Sequence, residues 1–157
     1  MKLFGKAPVN KIVYYSGKAS MYLVWILAII QLLGYNFRIL EMPVALVYAI
    51  IIFAGIGLLI ALISMLNLGE SLRFGLPQEK ITLKNQGLYK YSRNPMYLGF
   101  YIMEISSMLL TLNPIIIVIG IYAISVHHLV TLSEERYLKK TFGKNYDLYC
   151  NKVRRYI

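Results

Sequence analysis

Between Glu41 and Glu70 the chain reads Met42-Pro43-VALVYAIIIFAGIGLLIALISMLN-Leu68-Gly69, without one charged residue. A helix over this run, at about 1.5 Å per residue, exceeds the roughly 30 Å of a bilayer's hydrocarbon core and spans it with some tilt. The rest of the chain repeats the pattern on a smaller scale. Before it, an apolar stretch from about Ser20 to Phe37 ends at Arg38 and Glu41. After it come Pro95 to Leu112 and Pro114 to about Leu132, separated only by Asn113, which reads as a tight helical hairpin. Overall the 157 residues are 58% apolar with a mean hydropathy of +0.57, against about 45–50% apolar in a soluble domain. The expected fold class is therefore all-α: a single multi-pass transmembrane bundle, residues 1–157, with spans near 20–37, 43–68, 95–112 and 114–132. A long loop, a tail 133–157 and short C-terminal helices complete it.

Charge placement predicts the orientation. Lys2, Lys6, Lys11 and Lys18 precede the first span with no acid among them. The loop after the second span carries Arg73, Lys80, Lys84, Lys90 and Arg93 against Glu70 and Glu79. The tail carries Arg136, Lys139, Lys140, Lys144, Lys152, Arg154 and Arg155, and the opposite loops hold only Arg38 and Glu41. By the positive-inside rule both termini are cytoplasmic. The net charge of +10 sits beside apolar runs, which fits anionic lipid headgroups and argues against nucleic acid as a partner. No cleaved signal is read at the N-terminus. Cys150 is the single cysteine, so no disulfide forms within the chain.

Polar residues that an anchor would not need mark the candidate chemistry. Gly87-Leu-Tyr-Lys-Tyr-Ser-Arg-Asn-Pro-Met-Tyr-Leu-Gly99 leads into the third helix. Asn94 suits an N-cap and Pro95 the first helical position, a device that Asn113-Pro114 repeats. Beside Arg93, the unpaired N–H groups of that helix start could seat a carboxylate or phosphate. Glu134 and Glu135 stand where the fourth span is expected to meet water. Glu135 with Lys139 has the spacing of a solvated i,i+4 pair, while two acids near the bilayer could instead hold an ammonium or ribose hydroxyls. His127 and His128 are adjacent, so they point apart on a helix; no metal site is expected. Glu104 lies within the third helix, where an acid costs roughly 2.5–3.5 kcal/mol to insert and so faces the bundle interior. It is expected either as a neutral acid bonded to Ser106, Ser107 or a tyrosine, or as part of a substrate pocket. Walker, GxGxxG, HExxH, CxxC and nucleophile-elbow motifs are absent from the sequence, which disfavours nucleotide, zinc-dependent and serine hydrolysis. Gly55 and Gly57 suit close helix packing.

The ordered set Gly87, Tyr89, Arg93-Asn94-Pro95, Tyr97, Gly99, then Asn113-Pro114, then Glu134-Glu135, Leu138, Phe142-Gly143, Tyr146, Tyr149, Val153 and Arg155 resembles the isoprenylcysteine carboxyl methyltransferase family. That family is related to phospholipid N-methyltransferases and, more distantly, to membrane sterol reductases. The resemblance implies methyl transfer from S-adenosyl-L-methionine to a lipophilic or lipidated acceptor at the cytoplasmic membrane face. By position it implies cofactor contacts at Ile81, Thr82, Leu83, Lys84, Tyr89, Asn94, Pro95, Met96, Tyr97 and Glu134, with Glu135 beside them. The family commonly has histidine at the position of Asn94 and an arginine near that of Val130. Glu104, His127, His128 and Arg93 are left as candidates to shape the acceptor pocket or take part in catalysis. Two other readings stay open: an NADPH-dependent reductase of sterol- or isoprenoid-type double bonds, and a non-enzymatic membrane scaffold.

Overall fold

In the computed structural model, which describes residues 7–69 and 82–157, five α-helices carry the chain. They are α1 (Lys11–Leu32), α2 (Val44–Leu68), α3 (Pro95–Thr111), α4 (Pro114–Phe142) and α5 (Lys144–Lys152), with a 3-10 turn at Gly87–Lys90 ahead of α3. Among the described residues, α1, α2 and α4 are long and apolar enough to cross a bilayer. The third expected span, α3, is a helix of 17 residues that packs among them.

Two helices have ends that differ from the sequence expectation. The first helix begins at Lys11, nine positions before Ser20, because the Asn10 side chain accepts the Ile12 N–H at 2.9 Å and caps it. It stops at Leu32, short of Phe37; the Gln31 side chain accepts the Phe37 N–H at 2.7 Å and closes the turn that follows. The fourth helix does not end near Leu132. It runs through Glu134 and Glu135 to Phe142, where Gly143 takes φ +52° and breaks it. Those acids are held by protein groups, so the helix has no need to end there.

Packing joins α2 to α3 and α1 to both α3 and α4, while α1 and α2 share no extended interface. The α2–α3 crossing is close because glycines meet: a Cβ on Gly99 would lie 2.5 Å from the Gly57 carbonyl oxygen. Gly55, by contrast, faces open space. At one end of the bundle Arg38 Nε donates to the Leu110 carbonyl at 2.8 Å, and Asn113 Nδ2 to the Phe37 carbonyl at 3.0 Å. At the other end Ser133 Oγ donates to the Pro8 carbonyl at 2.6 Å. Here the start of α3, the end of α4 and the C-terminal segment converge.

Candidate functional site

The C-terminal segment returns beside the start of α3. Arg93 N–H donates to the Arg154 carbonyl at 2.9 Å and Asn94 N–H to that of Arg155 at 3.1 Å, with Ser92 Oγ on the same Arg155 oxygen. Into this junction α4 presents Glu135. Its Oε1 accepts from Arg93 Nε at 3.1 Å and Asn94 Nδ2 at 2.8 Å; its Oε2 accepts from Arg155 Nε at 3.0 Å. Arg93 also donates to the Val153 carbonyl at 2.9 Å. Burial alone would lower the Arg93 guanidinium, but the hydrogen bond and charge of Glu135 carry it above its ordinary value.

This network overturns two local expectations. Asn94 occupies the N-cap position but makes no side-chain cap bond, since its amide is turned to Glu135. Asn113 does cap, accepting the Ile115 N–H at 3.0 Å. Among the described residues, the first turn of α3 thus has no side-chain cap from its N-cap residue. The i,i+4 pair of Glu135 with Lys139 does not form either. Lys139 bridges to Asp147 on α5 at 2.9 Å instead, because the stronger Arg93 and Arg155 donors already hold Glu135.

Glu134, about 100° further round α4, serves a different surface. Its Oε2 accepts from the Tyr97 hydroxyl at 3.0 Å. Its charge reaches Tyr14 and Lys18 on α1, Tyr89 on the 3-10 turn, and Tyr101 on α3. A carboxylate that accepts from a phenol and acts on others is chemically suited to an organic cation, through charge and π faces together. Burial pushes the Tyr89 phenol up, with Tyr149 and Glu134 adding to it, so it stays a neutral donor; its own carbonyl accepts from the Tyr149 hydroxyl at 2.6 Å.

Tyr97 also faces the other way. Between α1 and α2, over α3 and α4, runs a cavity of ≈ 280 Å³ whose walls include Tyr14, Lys18, Trp25, Met65, Tyr97 and His127. Most of its lining is aliphatic, methionine or aromatic. His127 Nδ1 lies 2.8 Å from the Ala123 carbonyl and donates to it, which leaves Nε2 as the acceptor of the neutral ring.

The expected site residues therefore divide. Tyr97 bonds Glu134, whose charge also acts on Tyr89, and Met96 and Tyr97 wall the cavity. Arg93, Asn94 and Glu135 are joined, but to one another and the tail. Pro95 is the buried first residue of α3. Leu83 packs on Tyr146, Tyr149 and Val153, Lys84 is half-buried and Thr82 is exposed; Ile81 lies outside the described residues. His128 Nδ1 bonds the Tyr156 hydroxyl at 2.8 Å, which in turn lies 3.3 Å from that of Tyr101. Glu104 is not bonded to the serines, because Ser106 and Ser107 each donate back to their own helix, to the Ile102 and Met103 carbonyls. It sits outside the cavity lining, facing Gly120. Among the described residues, neither its oxygens nor Trp25 Nε1 has a hydrogen-bond partner. Among the described residues no group of three or more His, Cys, Asp or Glu comes together.

Sequence reasoning placed a first span here but no site residue on α1. Tyr14, Lys18, Met21 and Trp25 follow at i, i+4, i+7 and i+11, which is one helix face, and that spacing was the available signal. It also missed Asn67, whose Oδ1 accepts the Leu88 N–H at 2.8 Å and anchors the 3-10 turn to α2.

Residues 44–145 match the model of the family described as phospholipid methyltransferase. Two curated proteins are similar over a shorter stretch. The protein-S-isoprenylcysteine O-methyltransferase of Saccharomyces cerevisiae is 40% identical over 72 residues, 45% of this chain and 30% of that protein. The protein of the same name from Dictyostelium discoideum is 35% identical over 72 residues, with the same 45% and 30% coverage. The chain thus spans under a third of the length of these relatives, while the family match takes in well over half of the chain. The chain belongs to the phospholipid methyltransferase family.

Proposed function

From this family membership we propose that the chain is an integral membrane enzyme that transfers a methyl group from S-adenosyl-L-methionine to a lipophilic acceptor. The observation that carries the proposal is Tyr97: its hydroxyl binds Glu134 at the polar end, and its ring walls the apolar cavity. A carboxylate suited to a cation and an apolar cavity therefore share a single side chain. The two named relatives are isoprenylcysteine O-methyltransferases, which supports a lipidated acceptor.

The residues present fit the donor. Glu134 with Tyr89, Tyr97 and Tyr14 suits its sulfonium and ammonium. The uncapped first turn of α3, at Met96 and Tyr97, suits its carboxylate. When bound, the donor supplies an electrophilic methyl on a positively charged sulfur, which needs alignment more than acid–base assistance. Met96 and Tyr97, fixed in the first turn of a packed helix, set the cavity against the Glu134 carboxylate. The aromatic walls exclude water from between them. Glu135, Arg93, Asn94 and Arg155 hold the α3–α4–tail junction and so place Glu134. The end of the bundle that carries the site is the cytoplasmic one in this reading, because the basic residues of the tail and of the start of α1 gather there.

Calorimetry on the detergent-solubilised chain with S-adenosylmethionine, S-adenosylhomocysteine and NADPH tests the proposal. Saturable binding of both sulfur compounds is expected. Saturable NADPH binding without S-adenosylhomocysteine binding would overturn it in favour of a reductase, and binding of none of the three would favour a scaffold.

A further inference from the structure

The groove between α1 and α2 has one basic lone pair in its wall. Of the other polar residues that line it, Trp25 and Lys18 present only donors, and Tyr14, Tyr22 and Tyr97 present phenols. His127 differs from all of them. Its Nδ1 lies 2.8 Å from the Ala123 carbonyl, and a carbonyl can only accept, so Nδ1 carries a proton. In the neutral ring Nε2 keeps its lone pair, and among the described residues no group donates to it. The ring is buried. An unmatched acceptor inside a bundle is costly, and an aliphatic side chain would close the same wall without that cost.

The position of the ring gives the lone pair a use. His127 stands two turns before Glu134 on α4, about 10 Å of rise, so the two project from the same helix face. Tyr97 reaches both: its hydroxyl donates to Glu134 at 3.0 Å, and its ring centroid is 6.3 Å from that of His127. Glu134 thus marks the end suited to a cation and His127 the apolar side of the same tyrosine. Reacting atoms in a productive complex lie about 3–3.5 Å apart, and a base lies within about 3 Å of the atom whose proton it takes. The rise between the two residues leaves room for that pair of contacts in line.

We infer that His127 is the catalytic base of the methyl transfer, and that the acceptor it serves carries an uncharged protic head group, a thiol or a hydroxyl, which donates to Nε2. The word base rests on the methyl-transfer reading; the hydrogen bond to Nε2 does not. Alignment suffices for an acceptor that is already an anion, whereas a neutral one must also shed a proton. In the step, Nε2 takes the proton of the head group while the lone pair of its sulfur or oxygen forms the bond to the methyl carbon. The bond from that carbon to the sulfonium breaks and its electrons stay on the sulfur, so one positive charge disappears there and one appears on the imidazolium. The imidazolium returns its proton to water when the groove empties. A carboxylate would set its lone pairs against that of Nε2, and an ammonium has no lone pair to receive the methyl.

The chain has two histidines, so histidine labelled with ¹⁵N gives two side-chain spin systems, and His128→Gln assigns them. The full chain in nanodiscs is titrated with 1-decanethiol, 1-decanol, their S-methyl and O-methyl derivatives, and decanoic acid. Without probe, Nδ1 of His127 should be protonated and Nε2 bare. The thiol and the alcohol should shift Nε2 saturably, and the methylated derivatives, which cannot donate, at least fivefold less. A bare Nδ1, equal shifts from the protic and the methylated probes, or an imidazolium formed with decanoic acid overturns the inference. With S-adenosylmethionine, the parent should methylate the thiol or the alcohol. His127→Phe, which keeps a ring and removes the lone pair, should slow that by about 100-fold or more while S-adenosylhomocysteine affinity stays within twofold by calorimetry. An unchanged rate in His127→Phe, faster methylation of decanoic acid, or a parent that binds S-adenosylhomocysteine and methylates neither protic probe also overturns it. A parent that binds no S-adenosylhomocysteine sinks the proposed function, and the ¹⁵N result then decides the hydrogen bond by itself.

Discussion

Replacing Glu135 with alanine should cost the fold far more than replacing its neighbour Glu134. Glu135 and Arg93 are 10% and 13% exposed at their side chains, and Arg155 is 37% exposed. Glu135→Ala therefore strands a largely buried guanidinium, and removing one partner of such a pair costs about 3–5 kcal/mol. The Asn94 amide loses its 2.8 Å acceptor as well. Arg155→Ala, at the more exposed partner, should cost about 1 kcal/mol. Glu134→Ala removes one hydrogen bond, that of Tyr97, but also the cost of holding a carboxylate among phenols, for a net loss of about 1 kcal/mol. At about 2–4 °C per kcal/mol, Glu135→Ala should lower the apparent Tm by roughly 6–20 °C, and Glu134→Ala by about 2–4 °C. Trp25 fluorescence or circular dichroism at a fixed scan rate in one detergent reads the difference. Calorimetry with S-adenosylhomocysteine on the same proteins should show Glu134→Ala folded but at least tenfold weaker in binding. A Glu135→Ala protein melting within 2 °C of the parent, or a Glu134→Ala protein that binds as tightly as the parent, would refute the division of roles.

Other expectations follow from single contacts. Tyr97→Phe keeps the ring on the groove and loses the Glu134 bond, so donor affinity should fall about three- to tenfold while Tm moves little, as read by calorimetry and melting together. Asn113→Ala removes a true cap and should cost about 1 kcal/mol, whereas Asn94→Ala should act through Glu135 and weaken the tail junction, seen as faster proteolysis after α5. Gly99→Val drives a side chain into the Gly57 carbonyl and should abolish a stable monodisperse protein on size exclusion, while Gly55→Ala should be silent. Burial pushes the Tyr149 phenol up to about 12 from 10.0. Its neutral form is thus favoured by folding: the contribution is complete below pH 10 and is lost as pH rises through about 12. Tyr149→Phe should reduce the steepness of alkaline melting over that window.

The bundle was legible because lipid imposes a strong pattern: long uncharged runs leave few alternatives to helices. Its boundaries were less so. The shallow half of α1 carries Lys11, Ser16, Lys18 and Ser20, which hydropathy scores as outside the bilayer, although Asn10 caps the helix there and Lys18 turns into the groove. Glu134 and Glu135 misled in the same way, since a pair of acids reads as water until the arginines that hold one of them are known. Asn94-Pro95 and Asn113-Pro114 are identical as dipeptides and differ as structures. Whether an asparagine caps its helix depends on what else competes for its amide, and Glu135 is 41 residues away in sequence. Local spacing carries the helix start; the partner comes from tertiary contact.

The adjacency of Glu134 and Glu135 explains how a bundle of helices builds such a junction without a loop scaffold. Successive residues on a helix point about 100° apart, so one turn of α4 addresses two surfaces of the start of α3. Glu135 faces residues 93 and 94 and draws the returning tail onto them; Glu134 faces Tyr97, one turn deeper, and the phenols beyond it. Because both acids sit on the same rigid turn, the ion pair that fixes the fold also fixes the carboxylate offered to a ligand. Shifting the two acids one position back along α4 would empty position 135 and leave Arg93 without its carboxylate, while shifting them one position forward would empty position 134 and leave the Tyr97 hydroxyl without its acceptor.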